Sequence, residues 1–191
     1  MREHHAIHYN KCMNTVLIQE VLRYNTLLTA IKTSCNDLIR ATEGAIVMTG
    51  PLEEMADRMQ KNQIPEQWAK RSYPSLKSMI SYVEDLVRRL KMFQDWVDNG
   101  QPKIFWVPGF YFTQSFFTGV LQDYARKYEI SIDSLEFKHH VMKPDFNESQ
   151  CEEVGCYTSG LFLEAARWDS DMDALEESIP KKVFFDMPVV I

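Results

Sequence analysis

Three aspartates at alternating positions, Asp169, Asp171 and Asp173, have the spacing of the first calcium ligands in an EF-hand loop. That loop needs a glycine at its sixth position for a sharp turn and a glutamate at its twelfth position to bind calcium. The corresponding residues here are Ala174 and Pro180. The sequence therefore predicts a solvated acidic loop and no calcium site.

Histidines near the amino terminus have a helical spacing that suits metal ligands. His4, His5 and His8, followed by Cys12, could place two ligands on one face of a helix. A third and a fourth ligand at the spacing of a structural zinc site are missing from this stretch. We therefore expect a frayed terminus and no metal.

The cysteines also lack a metal-binding pattern. Cys151 and Cys156 are separated by four residues, which is wider than a zinc knuckle, and they have no partner pair. The first ten residues, MREHHAIHYN, do not contain the apolar stretch of a secretory signal. We expect a cytosolic protein with free thiols and without a metal or a cofactor.

Motifs for nucleophilic or nucleotide chemistry are incomplete. His139 and His140 are neighbours on a predicted strand, so their side chains point to opposite faces and cannot act together. The segment GCYTSG, residues 155–160, lacks the order of a serine-nucleophile motif, and the protein has no P-loop for a nucleotide. We predict no enzymatic activity; a hydrolase that combines one of these histidines with one of the three aspartates is a rival hypothesis.

Composition and charge restrict the partners. The chain has 191 residues, of which 45% are apolar, enough for one domain or for two small ones that share a core. Residues 145–180 contain ten acids and one base, Arg167, and such a segment repels the phosphates of nucleic acids. The longest apolar runs, such as residues 104–112, are too short to cross a bilayer. We therefore expect neither a nucleic acid nor a membrane as a partner.

Apolar residues that recur at intervals of three and four predict two long helices. The first extends from Cys12 to Ile46, and Gly50 and Pro51 end it. Pro51 suits the first turn of a short helix that follows, residues 51–60. The second long helix covers residues 75–98, and Asn99 and Gly100 end it.

The second long helix has an apolar stripe and a predicted outer face with two ion pairs. Glu84 precedes Arg88 by four residues, and Asp85 precedes Arg89 by four. The spacing of the stripe also suits a coiled coil of about three heptads, but we expect it to pack within its own domain. The apolar positions are Leu76, Met79, Ile80, Val83, Leu86, Val87, Leu90, Phe93 and Val97.

The segment from Pro102 to Asp133 is dense in aromatic residues, and a third helix is predicted within it at residues 113–128. Gly119 in this helix allows close packing. From Leu135 onward, alternating apolar residues and short apolar runs at 161–163, 183–185 and 189–191 predict strands. The fold class is α+β by segregation: a helical subdomain over residues 1–134 and a β-rich subdomain over residues 135–191.

Five sequence blocks lie in order along the protein: MNTVLIQEVLRYNTLL (13–28), SYPSL (72–76), FWVPGFYFTQSFFTGVLQDYARKYEISID (105–133), GCYTSGLFLEAARWD (155–169) and ESIPKKVFFDMPVVI (177–191). Together they closely resemble the carboxyl-terminal region of dynein heavy chains. The segment FTQSFFTGVLQDYARKY resembles the axonemal, or ciliary, branch of the family more than the cytoplasmic branch. The resemblance covers nearly the whole sequence from about residue 9.

The resemblance implies a non-catalytic cap of helices followed by a small β-barrel, which lies on the ATPase ring of a parent heavy chain. The implied role is to brace that ring and to modulate the coupling of ATP hydrolysis to microtubule stepping in ciliary movement. The implied partners are the ATPase ring and, through the parent complex, dynein intermediate and light chains; microtubules are contacted only indirectly. The implied location is the cytoplasm and the cytoskeleton of the ciliary or flagellar axoneme.

Two departures from the family pattern lead to further expectations. Ala165 stands where the family commonly has glycine, a change that tightens a turn. The sequence stops at Ile191, where the family typically continues through further strands. We therefore expect a fragment whose barrel is partial and whose β-rich subdomain is truncated, with Val189 to Ile191 on an open sheet edge.

The residues that we expect to matter are packing anchors, because the sequence predicts no catalytic residue. Some of them should face the ATPase ring and form an exposed apolar patch in an isolated structure. The alternative is a free-standing helical protein-interaction module without a motor context, which an exposed apolar stripe on the 75–98 helix would favour. The predicted anchors are Phe105, Trp106, Phe110, Phe112, Phe116, Phe117 and Trp168.

Overall fold

The computed structural model describes residues 11–143, 145–152, 155–162, 165–169, 171–180, 185 and 187–191. The candidate metal ligands His4, His5 and His8 lie outside the described residues, as does most of the strand predicted at 183–185.

The protein divides into two compact units, one formed by Met1–Val16 with Trp96–Ile191 and the other by Leu17–Asp95. None of the helices in the described residues is long and apolar enough to cross a membrane. The α-helices are α1 (Cys12–Thr42), α2 (Gly50–Gln60), α3 (Glu66–Ala69), α4 (Met79–Asn99) and α5 (Thr113–Tyr128). The strands are β1 (Ile104–Trp106), β2 (Tyr157–Ser159), β3 (Ala166–Asp169) and β4 (Ala174–Glu177).

Helix α1 ends four residues before the predicted Ile46 because the backbone turns at Gly44. Gly44 has a φ of 76°, a left-handed conformation that glycine adopts without a steric penalty. Its N–H donates to the carbonyl of Ala41, and the N–H of Ala45 donates to the carbonyl of Arg40, a pattern that closes a helix at its carboxyl end. Gly50 therefore starts α2 and does not end α1, while Pro51 lies in the first turn of α2 as predicted.

Helix α4 starts at Met79, later than the predicted residue 75, because Asn62 caps it. The N–H of Met79 donates to the carbonyl of Asn62 at 2.9 Å, and the N–H of Ile80 donates to Asn62 Oδ1 at 3.1 Å. These bonds satisfy two of the N–H groups that a helix start leaves without an internal partner. Leu76, which was predicted to belong to the apolar stripe, precedes the helix and is fully exposed.

Helix α5 has the predicted bounds and lies close to the start of α1 at Gly119. A Cβ atom at Gly119 would be 2.9 Å from Val16 Cγ2 and 3.4 Å from the sulfur of Met13. Such a contact is too close for an alanine without a shift of its neighbours, so the prediction of close packing at Gly119 is confirmed.

A small sheet brings together segments that are distant in the sequence. Strands β1 and β2 pair in parallel, with Phe105 opposite Thr158. Val190 forms one antiparallel bridge to Thr158 and another to Val141. The prediction that Val189 to Ile191 lie on an open edge is therefore wrong at Val190, whose neighbours flank it on both sides and leave it buried.

Strands β3 and β4 form an antiparallel hairpin, in which Trp168 lies opposite Leu175. Ala165 directly precedes β3 with a φ of 56°, and its carbonyl accepts the N–H of Ser178 at 3.0 Å. The left-handed backbone at Ala165 is one that glycine adopts more readily than alanine. The tightening of this turn by alanine stays a prediction.

The predicted fold class is confirmed, since helices dominate the amino-terminal part and short strands follow in the carboxyl-terminal part. The strands in the described ranges do not close into a barrel. Strand β1 was not predicted. It lies before Leu135, where the predicted β-rich subdomain begins. The division into subdomains 1–134 and 135–191 stays a prediction.

Candidate docking surfaces

Three of the predicted anchors form the core of the unit that contains α5. Phe116 is fully buried, and its ring centre lies 4.8 Å from that of Phe105 and 4.7 Å from that of Phe110. The ring of Trp96 meets Phe105 edge-on at 5.4 Å. Tilted and edge-to-face pairs at these distances add to the stability gained from burying the rings. Phe105, Phe110 and Phe116 are therefore packing residues of the local core.

Local backbone structure places these rings. Phe105 is the central residue of β1, and its side chain points to the buried face of the strand. A 3₁₀ turn, Val107–Gly109, follows, and the N–H of Phe110 donates to the carbonyl of Val107. Phe116 follows in the first turn of α5. Strand, turn and helix thus bring residues from one short sequence segment into a single cluster.

Three other anchors reach the surface of the same unit. Phe112, which directly precedes α5, is 46% exposed, while Trp106 and Phe117 are half-buried. Trp106 covers Gly160, where a Cβ atom would be 2.6 Å from the indole Nε1. Phe117 contacts Phe116 on one side and the exposed ring of Phe137 on the other, at 5.1 and 5.5 Å. We call Trp106, Phe112 and Phe117 the aromatic rim, because they reach the surface and lie within two residues of the buried anchors in the sequence.

The seventh anchor, Trp168, is half-buried on the β3–β4 hairpin. Its indole Nε1 is buried and has no hydrogen-bond acceptor among the described residues. On the other face of the hairpin, Arg167 pairs with Glu176 at 2.6 Å. The structure therefore places Trp168 on a separate element from the aromatic rim.

The unit of residues 17–95 contains a buried charged cluster that the sequence did not reveal. Asp85 accepts hydrogen bonds from Arg89 Nε and from Lys77 Nζ, both at 2.6 Å. Asp85 and Arg89 are both buried, and the guanidinium carbon of Arg89 lies 3.7 Å from the ring centre of Tyr73. The prediction that Asp85 and Arg89 lie on the outer face of α4 is therefore wrong.

The pKa of Asp85 reflects two opposing effects. Burial of the carboxyl group disfavours its charged form, but hydrogen bonds from Lys77 and Arg89 outweigh this effect and hold the pKa below its ordinary value. The pKa of Tyr73 is raised, chiefly by burial. Asp85 is therefore ionised in the folded state, and the tyrosine beside it is neutral.

The burial of this cluster fixes which face of α4 is covered. Asp85, Leu86, Arg89 and Phe93 are buried, together with Tyr82 and Trp96. Within α4 itself, three aliphatic residues of the predicted apolar stripe are exposed: Ile80, Val83 and Val87. The stripe is thus divided, and its outer part lies at the surface.

Two of the candidate catalytic residues, Asp169 and His139, make local structural contacts. Asp169 Oδ1 accepts the N–H groups of Asp171 and Met172, and these bonds hold the pKa of Asp169 below its ordinary value. This carboxylate thus shapes the hairpin turn. The ring of His139 stacks on Phe137 at 6.2 Å. In the part of the protein that the structure describes, no group of three or more His, Cys, Asp or Glu residues could hold a metal ion.

All four cysteines are free thiols. Arg126 Nη1 donates to the sulfur of Cys12 at 2.6 Å, and the backbone N–H of Cys12 donates to Asp123. Burial raises the pKa of the Cys12 thiol to about 11 and that of the Cys156 thiol to about 12. Both thiols are therefore protonated at neutral pH and are poor nucleophiles.

The described residues thus form an α+β fold that buries one set of aromatic rings and exposes another. The model of one protein family, the C-terminal domain of the dynein heavy chain, matches residues 1–191. The protein belongs to this family.

Several curated proteins are similar to this sequence. Dynein axonemal heavy chain 1 from Homo sapiens is 48% identical over 183 residues, which cover 95% of this chain and 4% of that protein. Dynein axonemal heavy chain 3 from Mus musculus is 46% identical over 182 residues, with the same coverage of both. Dynein axonemal heavy chain 12 from Mus musculus is 43% identical over 188 residues, or 98% of this chain and 6% of that protein. The predicted resemblance to axonemal dynein heavy chains is confirmed, and the 191 residues span 4–6% of the length of these relatives.

Proposed function

We propose that this protein is the non-catalytic carboxyl-terminal region of an axonemal dynein heavy chain. It packs on the ATPase ring of the parent heavy chain and modulates ATP-driven, microtubule-based ciliary motility. It works in the cytoplasm, in the cytoskeleton of the ciliary or flagellar axoneme. Dynein intermediate and light chains are partners through the parent complex, and microtubules are affected only indirectly.

The observation that supports this proposal is the match of the family model to the whole sequence, combined with the exposure of the aromatic rim. Phe112 projects from the start of α5, directly beside residues whose rings form the buried core. An exposed ring on a rigid support loses little conformational entropy when a partner covers it. The rim is thus suited to contact a large protein surface, and we assign this contact to the ATPase ring.

The chemistry of the described residues supports a role without catalysis. The thiols of Cys12 and Cys156 are held protonated, and the Asp169 carboxylate is engaged in a turn. Packing residues therefore carry the function, and ATP hydrolysis belongs to the ring of the parent motor.

The test is a substitution in a full-length axonemal dynein heavy chain that has this sequence as its carboxyl-terminal region. Phe112→Ser removes the exposed ring and should weaken docking by about tenfold or more, because burial of such a ring contributes about 1.5–3 kcal/mol. We expect a changed ratio of microtubule gliding velocity to ATP turnover. The matched control is Tyr128→Ser, which removes an aromatic side chain of similar exposure, 43%, from the other end of α5.

Two results would contradict the proposal. One is a ratio of velocity to turnover that is the same for Phe112→Ser, Tyr128→Ser and the unsubstituted heavy chain. The other is ATP hydrolysis by the purified 191-residue protein at a rate above that of a buffer control.

A second candidate function is supported by one observation. The outer part of the apolar stripe on α4 is exposed. An exposed stripe on this helix favours a protein-interaction module that binds a partner helix. As a free-standing module, the protein would bind this helix without any contact to a motor ring. The Phe112→Ser experiment separates the two candidates, because only ring docking predicts an effect on motility.

A further inference from the structure

Helix α4 exposes three branched aliphatic side chains in a row. Ile80, Val83 and Val87 are 59%, 42% and 58% exposed, and the half-buried Leu90 continues the row by one more turn. We call these three exposed residues the outer stripe. Their spacing of three and four residues places them along one side of the helix, over two turns. Exposed aliphatic residues are common singly, but a continuous row on a rigid helix indicates a contact surface.

The outer stripe cannot become buried by a simple rotation of α4 within its own unit. The opposite side of the helix carries Asp85 and Arg89, which are fixed by Lys77 and by the ring of Tyr73. A rotation that buried Val83 would pull this ion pair out of its hydrogen bonds. Breaking a buried ion pair is strongly destabilising, so the buried cluster keeps the stripe at the surface.

The geometry points to a specific kind of occupant. A row at intervals of three and four residues is complementary to the side of another α-helix, whose residues insert between those of the row. On the free flank of the stripe lie the exposed charges Glu84 and Lys91. A fitting helix has apolar residues that face the stripe, a base near Glu84 and an acid near Lys91.

A second copy of this protein matches this charge pattern in one antiparallel register, in which Val87 lies opposite Val87 and Glu84 lies beside Lys91 of the second copy. The pattern of charges therefore does not exclude a second copy. The size of the outer stripe decides between a free and a tethered occupant.

The small size of the outer stripe favours an occupant that is covalently tethered. Three aliphatic side chains bury far less than the roughly 1,200–2,000 Å² of a stable interface between free proteins. A tethered partner needs less contact, because the linkage raises its effective concentration into the millimolar range. In the relatives, 94–96% of the heavy chain lies outside the matched region.

We infer that the outer stripe of α4 binds an amphipathic α-helix from the rest of the dynein heavy chain. This inference rests on the proposed docking function and adds to it the surface and the class of partner. It also gives a role to the exposed residues that the second candidate function would assign to a foreign protein.

The test uses a full-length axonemal dynein heavy chain with this sequence as its carboxyl-terminal region. A photo-reactive benzophenone side chain replaces Val87, Ile39 or Phe112 in three separate preparations. Ile39 is the matched control, because it is an aliphatic residue of α1 with a similar exposure, 53%. After irradiation, peptide mass spectrometry identifies the residues that each probe has reached.

We expect the probe at Val87 to cross-link to a helix elsewhere in the same heavy chain, with a yield well above that of the Ile39 probe. In addition, Val83→Ser combined with Val87→Ser should increase proteolytic release of this region by about tenfold. Equal yields at Val87 and Ile39, or cross-links from Val87 to a separate polypeptide or to a second copy, would overturn the inference. If the Phe112 probe still reaches the ring, the proposed function survives that outcome; if neither probe reaches the rest of the heavy chain, the proposed function fails too.

Discussion

Helix α4 and the aromatic segment from β1 to α5 place their side chains in opposite ways. In the aromatic segment, the buried anchors are apolar rings: Phe105, Phe110 and Phe116 are inside, while Phe112 is exposed. In α4, a carboxylate and a guanidinium are inside, while Val83 and Val87 are outside. The contrast teaches that an apolar stripe on a helix does not by itself identify the buried face of that helix.

The physical reason lies in how each region satisfies its polar groups. The aromatic cluster contains rings whose edges and faces complement one another, so it needs no polar partner. The charges on the buried face of α4 are stabilised because Asp85 has two cationic donors and Arg89 lies against a tyrosine ring. These contacts offset the free-energy cost of burying the charges. A buried pair of this kind fixes an orientation, and we interpret its role in α4 as keeping the aliphatic side outward.

The aromatic core offers the largest expected effect. Phe116→Ala should lower the free energy of unfolding by about 3–5 kcal/mol, because the fully buried ring leaves a cavity among Phe105, Phe110 and Phe117. The matched control is Phe112→Ala, whose exposed ring should cost about 1 kcal/mol or less. Chemical denaturation of the purified protein measures both. Equal losses would contradict the division into core and rim.

The charged interior of α4 offers a slightly smaller effect. Arg89→Met leaves the buried Asp85 with Lys77 as its cationic partner and should cost about 3 kcal/mol. Arg88→Met, one residue earlier and exposed, should change stability by less than about 0.5 kcal/mol. A similar stability for the two variants in denaturant melts would show that the ion pair is not a buried element of the fold.

The dependence of stability on pH tests whether the buried Asp85 carboxylate stabilises the fold. The pKa of Asp85 is lowered in the folded state, so its carboxylate stabilises the fold above its ordinary pKa of about 3.9. This contribution is lost as the pH falls through the lowered pKa. Asp85→Asn binds no proton there and should lose stability less steeply below about pH 4. Circular dichroism measures how stability decreases with falling pH in the variant and in the unsubstituted protein. An equally steep decrease in both would exclude Asp85 as a source of acid sensitivity.

The sequence predicted the helices well because their apolar periodicity is strong, as in α5, where the predicted and observed bounds agree. It did not identify the covered face of α4, because the apolar residues at 79–80, 83, 86–87 and 90 form a wide sector. Periodicity finds such a sector but does not tell which edge of it is buried. Tyr82, Phe93 and Trp96 were the available signal, since large rings bury more area than valines and orient the helix toward themselves.

The parts that the sequence could not predict depend on contacts between distant residues. Strand β1 forms because Phe105 pairs with Thr158. The local sequence of residues 104–106 does not predict a pairing partner more than fifty residues away. Val190 is held by Val141 and Thr158 for the same reason. The anchors were identified as a group from their density in the sequence, but their separation into core and rim depends on the turn at Val107–Gly109.

The measurement that tests the central claim most directly compares two adjacent residues of α4. Leu86 is 4% exposed and Val87 belongs to the outer stripe, so one turn of the helix contains both an inside and an outside position. Leu86→Ala should lower the unfolding free energy of the protein by about 2–5 kcal/mol, and Val87→Ala by less than about 0.5 kcal/mol. Comparable losses for both variants would mean that the stripe belongs to the core of this protein, and they would contradict its assignment as a docking surface.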